Sequence, residues 1–177
     1  DLDTLKTAIE TATSQGGKVF LQQQIDGDDY RVLIIGGKIA AAAIREPASV
    51  LGDGKSSVGE LITLTNNSSK RAVGYNRGLS LIDLSAAERF LGDHISDIPK
   101  SGQLYKVVGT ANIGTGGRAI DVTDILEESM KVDALKIANE LDMGICGVDF
   151  IVSPEGQRYL IELNAKPSLG LHEYPAI

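Results

Sequence analysis

The chain has 177 residues, of which 42% are hydrophobic, so it can bury the core of one domain or slightly more. Its net charge of −7 argues against a nucleic-acid or anionic-membrane surface as a partner. The single cysteine, Cys146, excludes an internal disulfide and predicts a reducing cytoplasm, and two histidines with one cysteine argue against a zinc site.

The first part of the chain predicts one helix and three strands. An apolar stripe at helical spacing predicts a helix over residues 2–10, which Gly16-Gly17 ends. The later two strands are joined by Gly36-Gly37, a two-residue hairpin signal. The three predicted strands cover residues 18–25, 30–35 and 38–44.

Two short helices are predicted in the middle of the chain. Ser57 and Glu60 form a capping box that predicts a helix ending at Thr65. Ser85 begins a second capping box, which predicts a helix ending at Leu91.

The next segment predicts a turn, a strand and a longer helix. The turn covers residues 99–102, and the strand covers 103–109. Asp124 is predicted to cap a helix that ends at Leu141. The helix positions predicted to face the core are Leu135, Ala138 and Leu141.

The most informative stretch is a predicted hairpin near the end of the chain. The sequence Pro-Glu-Gly-Gln after Ser153 is strong turn chemistry between two runs rich in β-branched and aromatic residues. If Ser153 pairs with Arg158, Asp149 lies directly opposite Glu162. Asn164 then lies on the same face, because side chains two apart on a strand point the same way.

This charged hairpin face allows two interpretations. Like charges directly opposed on a sheet are destabilising, and a bound cation would remove that cost. Asp, Glu and Asn oxygens are the ligands that Mg²⁺ takes. The alternative is a pair of solvated carboxylates on an open sheet face. The opposite face is predicted to pack in the core through Cys146, Val148, Phe150, Val152, Tyr159, Ile161 and Leu163.

The residues around this hairpin resemble a known family. Residues 162–175 run from a strand into a loop with Pro, Gly and His, and with Gly147-Val148-Asp149 they resemble the end of the ATP-grasp ligase fold. Segments 27–33, 45–54 and 111–124 resemble the same family, in the order found in the ATP-grasp modules of cyanophycin synthetases and bifunctional glutathione synthetases. The resemblance implies a partial ATP-grasp fold of the α+β class, with antiparallel or mixed sheets and flanking helices.

The resemblance also implies a division of the chain. Residues 1–25 match the remainder of the small nucleotide-clamping subdomain, and residues 26–177 match the large metal- and ATP-binding subdomain. The lysine-bearing strand and the phosphate-covering loop of the family have no counterpart in this sequence. We therefore expect a fragment that is inactive when isolated.

Two segments are assigned to the nucleoside by this resemblance. Phe20, Leu21 and Gln22 match the hinge whose backbone reads the adenine edge, although the family usually carries glutamates where Gln22 and Gln23 stand. Asp29 matches the acid that holds the ribose hydroxyls, since a carboxylate can accept two O–H bonds. A simple turn residue is the alternative for Asp29.

Other residues match family positions near the phosphates. Arg45 and Arg31 are expected near the triphosphate and the reacting carboxyl, because a guanidinium binds phosphate bidentately. The alternatives are a solvated strand-end charge for Arg45 and an ion pair with a neighbouring acid for Arg31. Asn112, Gly116 and Gly117 lie in a loop whose N–H groups can approach an anion, although many such loops are only turns.

The resemblance implies a metal-assisted ligation. Asp149, Glu162 and Asn164 match the residues that hold Mg²⁺, or Mn²⁺ in its place, against ATP. The expected reaction joins a small carboxylate to an amine, such as an amino acid or peptide, through an acyl phosphate. The family usually carries an arginine shortly before Asn112, which this chain lacks, and Arg118 is a candidate substitute.

Two other functions stay open at this point. An ATP-binding module without ligase chemistry is favoured by Gln22, Gln23 and the missing arginine. A plain interaction domain is the second, with its acidic hairpin in solvent. Lys166 and His172 could contact a substrate carboxylate or be ordinary loop residues. A homo-oligomer is left open, and neither nucleic acid nor membrane is expected as a partner.

Overall fold

The structure is a computed structural model, which describes residues 2–16, 18–72 and 79–173. Short 3-10 helices occur at Gly92–Ser96 and Ile113–Thr115. The helices are α1 (Leu2–Ser14), α2 (Val58–Asn66), α3 (Leu84–Leu91), α4 (Glu128–Glu140) and α5 (Gly170–Glu173). The strands are β1 (Asp28–Ile35), β2 (Lys38–Glu46), β3 (Ser49–Leu51), β4 (Arg71–Ala72), β5 (Leu79–Ser80), β6 (Leu104–Lys106), β7 (Arg118–Asp121), β8 (Ile145–Val152) and β9 (Arg158–Asn164).

A five-stranded sheet in the order β7-β2-β1-β8-β9 organises the fold, and all of its pairings are antiparallel. The predicted β1–β2 hairpin is confirmed, and Gly36 and Gly37 turn it with φ values of 58° and 71°. Positive φ at both turn residues is the geometry that favours glycine there. Helices and antiparallel strands together confirm the predicted α+β class.

The main core lies between one face of this sheet and helix α4. Every second side chain of β1 and β8 packs in this core, because alternate residues of a strand point to the same face. Cys146 is fully buried there, as predicted, and burial raises the pKa of its thiol. The buried members are Val32, Ile34, Ala42, Val122, Leu126, Met130, Ala134, Ala138, Cys146, Val148 and Phe150.

A second core joins β3 and β6 to α2 and α3. The predicted capping box of α2 is confirmed, since Ser57 and Glu60 each bond the other's backbone N–H. Helix α3 is present as predicted, but Asp83 caps it rather than Ser85, by accepting the Ala86 N–H. The buried members are Ala48, Val50, Val58, Leu61, Ile62, Ile82, Ala87, Val107 and Val108.

Two predicted elements differ from the structure. Residues 18–25 form no strand and are mostly exposed, because no neighbouring strand offers them a hydrogen-bonded ladder. Helix α4 begins at Glu128 rather than after Asp124, because Ile125 donates to Val122 in a preceding turn. Leu141 follows the helix and is 60% exposed, so its predicted core position is wrong. The predicted strand over 103–109 is shorter and covers only β6.

The β8–β9 hairpin carries a correction that preserves the predicted pair. Val152, not Ser153, pairs with Arg158, but a bulge restores the register so that Asp149 lies opposite Glu162 as predicted. The bulge also changes which side chains flank the core. Leu160 now lies opposite Phe150, and Tyr159 lies opposite Ile151. Ile161 is 51% exposed. The predicted core positions of Tyr159 and Ile161 are therefore wrong.

Within the part of the chain that the structure describes, no helix has both the length and the apolar character needed to cross a membrane.

Candidate functional site

Charged residues line the face of the sheet opposite α4. Arg31 on β1 lies between Ala43 on β2 and Asp149 on β8, and Glu162 on β9 continues the same row. Asp29 lies two residues before Arg31, and therefore on the same face, directly opposite Arg45 on β2. The sheet order thus brings together residues that are far apart in sequence.

Asp149 is the centre of this charged face. Its side chain is 1% exposed, and Arg31 contacts both of its oxygens, through Nε to Oδ1 and through Nη2 to Oδ2 at 2.6 Å. Arg45 Nη2 donates to the same Oδ2 at 2.9 Å. A buried carboxylate requires such pairing, because leaving it uncompensated costs several kcal/mol, about 3–5 when one partner is removed. Arg31 is therefore paired with a neighbouring acid, which is the alternative that the sequence left open for it.

Arg45 bridges two acids. Its Nε and Nη2 donate to Asp29 Oδ1 at 3.0 and 2.5 Å, in addition to the contact with Asp149. Burial opposes the charge on Arg45, yet its carboxylate partners raise its pKa overall. Burial raises the pKa of Asp29, although Arg45 acts in the opposite direction. Arg45 is 16% exposed, so it is not the solvated strand-end charge that the sequence left open.

Two of the three predicted metal ligands, Glu162 and Asn164, lie on the edge strand β9, and Glu162 is directly opposite the third, Asp149. Glu162 is 57% exposed, and its Oε1 accepts the Asn164 side-chain N–H at 3.0 Å and lies 3.9 Å from Arg31 Nη2. The oxygen donors suit Mg²⁺ in type. Among the described residues, no three His, Cys, Asp or Glu side chains are grouped as a metal site, and arginines occupy Asp149. The metal assignment therefore stays a prediction.

A cleft of about 360 Å³ opens over the charged row. One side is charged and carries Asp29, Arg31, Arg45 and Glu162. The rest of the lining comes from the segment 110–113, from Ala119 on β7, from Leu79 on β5 and from residues at and before α5. Its remaining lining residues are Leu79, Thr110, Ala111, Asn112, Ile113, Ala119, Ser168, Gly170 and Leu171. Of the predicted site residues, the structure thus gathers Asp29, Arg31, Arg45, Asn112 and Glu162 around one space.

The glycine-rich loop after Asn112 is folded onto itself. Asn112 Oδ1 accepts the Gly114 N–H at 2.9 Å, and its main-chain oxygen accepts the N–H groups of Thr115 and Gly117. The N–H of Gly116 donates to the carbonyl of Ile113. In this conformation the loop therefore uses these N–H groups internally rather than presenting them to an anion.

Packing accounts for both predicted glycines of this loop. Gly116 has φ of 96°, and a Cβ there would lie 2.6 Å from the Cα of Ile82. A Cβ on Gly117 would lie 2.7 Å from the carbonyl oxygen of Glu46. Such distances are too short for real contacts, so both positions need glycine for close approach. Nucleotide binding by either residue stays a prediction.

The predicted adenine hinge lies outside the cleft lining. Phe20 and Leu21 are 81% and 69% exposed, and Gln22 is exposed beside them. None of the three is part of a strand. Their assignment to adenine therefore also stays a prediction.

Arg71 is a basic residue near the glycine-rich loop that the sequence did not mark. Arg71 Nη1 donates to the carbonyl oxygens of Ser80 and Gly116, at 2.6 and 2.9 Å, and so pins the glycine-rich loop. Burial, together with the nearby charge of Arg118, lowers the pKa of Arg71. Arg118 pairs with Glu46 and does not line the cleft, so the structure gives no support to it as a substitute for the missing arginine.

His172 in α5 is a further basic residue near the cleft. Its Nε2 is buried and finds no hydrogen-bond partner among the described residues. Burial and the charge of Arg31 lower its pKa, with Asp121 acting in the opposite direction. From the sequence, His172 could contact a substrate carboxylate or be an ordinary loop residue, and that contact stays a prediction.

Comparisons with known proteins agree with this architecture. A model of the RimK-like ATP-grasp domain matches residues 109–175, which include the β8–β9 hairpin. The glutathione biosynthesis bifunctional protein GshAB of Clostridium perfringens is 34% identical over 178 residues, which are 95% of this chain and 23% of that protein. GshAB of Enterococcus faecalis is 30% identical over 98% of this chain and 25% of its own length.

A solved structure is similar over most of the chain. The bifunctional glutathione synthetase of Pasteurella multocida has a TM-score of 0.68 and 32% identity, over 86% of this chain and 22% of that one. The chain thus spans about a quarter or less of the length of the proteins it matches. These similarities show that the chain has an ATP-grasp fold, and that its residues 109–175 match the RimK-like ATP-grasp domain.

Proposed function

We propose that this chain is part of an ATP-dependent carboxylate–amine ligase of the glutathione-synthetase type. The proposal rests on the ATP-grasp fold and on the similarity to bifunctional glutathione synthetases. The cyanophycin-synthetase branch stays a prediction from sequence. ATP, a small carboxylate and an amine, such as an amino acid or peptide, are the proposed ligands, and the cytoplasm is the proposed location.

The observation that carries the proposal is the convergence of Arg31, Arg45 and Asp29 on one cleft. Two guanidinium groups side by side suit a polyphosphate, because each can bind two oxygens at once. Asp29 lies next to them and can accept two hydroxyl protons of a ribose. Asn112 also lines the cleft and can contact the reacting carboxyl group.

The metal would be held by Asp149, Glu162 and Asn164. When bound, Mg²⁺ would supply neutralisation of phosphate charge. In the proposed reaction the γ-phosphoryl group of ATP passes to the substrate carboxylate, and the amine then displaces phosphate from the acyl phosphate. The residues of this chain act by orientation and by charge, so the reaction needs no nucleophilic side chain.

The test is isotope transfer in the intact protein. A substrate carboxylate labelled with ¹⁸O is supplied with ATP and an amine, and the released phosphate is analysed by mass spectrometry. An acyl-phosphate route moves one labelled oxygen from the carboxylate into inorganic phosphate. Amino acids and small peptides form the substrate panel. ATP-dependent amide formation with unlabelled phosphate would contradict the acyl-phosphate step, and no ADP release with any pair would contradict the ligase.

A second candidate is ATP binding without ligation. It is favoured by one observation, since the N–H groups of residues 114–117 all donate to Asn112 or Ile113 within the loop. The same panel separates the two functions. Binding of a non-hydrolysable ATP analogue without ADP release from any substrate pair would favour this candidate, whereas no analogue binding would favour an interaction domain.

A further inference from the structure

Asp149 presents a conflict between its contacts and its proposed role. A metal ligand must direct an oxygen lone pair at the cation, yet Asp149 already accepts three guanidinium hydrogen bonds, and the two positive charges beside it repel a cation. The residue is 1% exposed, so water cannot easily replace these partners. A cation can reach Asp149 only if Arg31 and Arg45 withdraw.

We propose that Arg31 and Arg45 form a charge gate, which blocks the cation site until a polyphosphate draws the two guanidinium groups away from Asp149. The inference rests on the proposed function, because it takes the ligand to be a polyphosphate. Arg31 is a positioning residue in this scheme. It holds Asp149 in the ligand-free protein and exchanges the carboxylate for phosphate oxygens.

The contacts give the two arginines different parts. Arg45 already donates two hydrogen bonds to Asp29 and one to Asp149, so it can release Asp149 and keep a partner. Arg31 makes two contacts with Asp149, and its other nearby acid is Glu162 at 3.9 Å. Arg31 therefore occupies Asp149 and also lies within ion-pair distance of Glu162, which makes it the main element of the gate.

The packing around Arg31 holds it in this position. A Cβ on Gly147 would lie 2.9 Å from Arg31 Cδ and 3.1 Å from Pro167 Cβ, so the side chain lies close over the bare backbone of β8. The Arg31 side chain is only 9% exposed, so it is largely enclosed by the protein where it contacts Asp149. Arg31 and Arg45 both line the cleft, so a ligand that enters it can compete for both groups.

The first test measures Mn²⁺ binding to the intact protein by electron paramagnetic resonance, with no nucleotide or phosphate present. The gate predicts that Arg31→Gln binds Mn²⁺ at least about tenfold more tightly than the unmodified protein, equivalent to about 1.4 kcal/mol. Adding Asp149→Asn to Arg31→Gln should remove the gain. The same affinity in Arg31→Gln and the unmodified protein would overturn the proposal.

Arg158→Gln is the matched control. Arg158 also pairs with two acids, Glu127 at 3.1 Å and Asp133 at 2.8 Å, but it lies away from the cleft. Its removal should leave Mn²⁺ affinity unchanged. An equal gain in this variant would mean that any lost arginine raises the affinity through net charge, which would overturn the gate.

A second measurement uses the unmodified protein and so does not depend on the variant folding. The ¹⁵N resonance of Arg31 Nε should be unaffected by Mg²⁺ alone and should move when Mg²⁺ and inorganic tripolyphosphate are added together. A shift with Mg²⁺ alone would overturn the gate. Neither experiment measures ligation, so the gate can fail while the ligase assay succeeds, and the gate can hold while no substrate pair reacts.

Discussion

Gly116→Ala separates a packing role from a ligand role in the glycine-rich loop. Gly116 has φ of 96° and ψ of 5°, and an added Cβ would lie 2.6 Å from the Cα of Ile82. Gly156 in the β8–β9 turn has φ of 81°, but an added Cβ there meets nothing within 4 Å. The pair thus shares the backbone strain and differs in the contact.

The expected losses of stability differ for that reason. A left-handed conformation costs an alanine roughly 1–2 kcal/mol, and Gly156→Ala should lose only this amount. In Gly116→Ala the backbone of Ile82 must also move, and overpacking typically adds about 1–3 kcal/mol. We therefore expect about 2–5 kcal/mol of destabilisation in Gly116→Ala, which includes the strain term.

Urea denaturation measures the loss of stability in both variants. If the slope of the unfolding free energy against urea concentration is unchanged, the shift of the transition midpoint reports that loss. Nucleotide-analogue titration of the same proteins then asks whether binding is lost beyond what the unfolded fraction explains. Equal losses of stability in Gly116→Ala and Gly156→Ala would refute the packing argument. A stable Gly116→Ala that no longer binds nucleotide would instead support a direct role for this glycine.

Three further perturbations address the charged face and its surroundings. Glu162→Ala should abolish ADP release, and it should leave the circular dichroism spectrum unchanged because Glu162 is 57% exposed on an edge strand. Glu155→Ala in the exposed turn is the control. Normal turnover in Glu162→Ala would remove Glu162 from the site. Arg45→Lys should lower the turnover number about tenfold or more, about 1.4 kcal/mol, because lysine lacks the bidentate fork, and an unchanged rate in a steady-state assay would demote Arg45. The pKa of His172 is lower in the folded protein than the ordinary value of 6.5, so below that pH the unfolded chain binds more protons than the folded one. The stability that the neutral ring contributes above this pH is therefore lost as the pH falls. In His172→Gln this part of the acid loss should disappear from urea midpoints measured between about pH 8 and about pH 5, and an identical pH profile would contradict the burial of the neutral ring.

Local signals in the sequence predicted local structure well. Gly36-Gly37 predicted the β1–β2 hairpin, and Ser57 with Glu60 predicted the start of α2, because each signal acts within a few residues. The Asp149–Glu162 pair was also predicted, but from a wrong register that the bulge corrected. That agreement was fortunate, since a register shift of one residue moves side chains to the other face.

Long-range contacts could not be derived in the same way. Arg31 reaches Asp149 only because β1 pairs with β8, which lies more than half of the chain away in sequence. The residue pattern within either strand does not show which other strand will be its neighbour in the sheet. The segment 18–25 has strand-like composition but lies outside the sheet, because a strand needs a partner as well as a propensity. The choice between an ion pair and a ligand-binding role for Arg31 was open for the same reason.

The cost of the charged face bears on that choice. Burying an ion pair gives little net stability compared with apolar packing, and replacing such a pair by hydrophobic residues is often neutral or stabilising. The same sheet face does pack with apolar residues farther along, where Ala43 and Ala119 contact Leu171. Stability alone therefore gives no reason for two guanidinium groups to crowd onto Asp149 beside an open cleft. Exchange of those groups onto an anionic ligand provides one, because the protein then holds its positive charge in place before the ligand arrives.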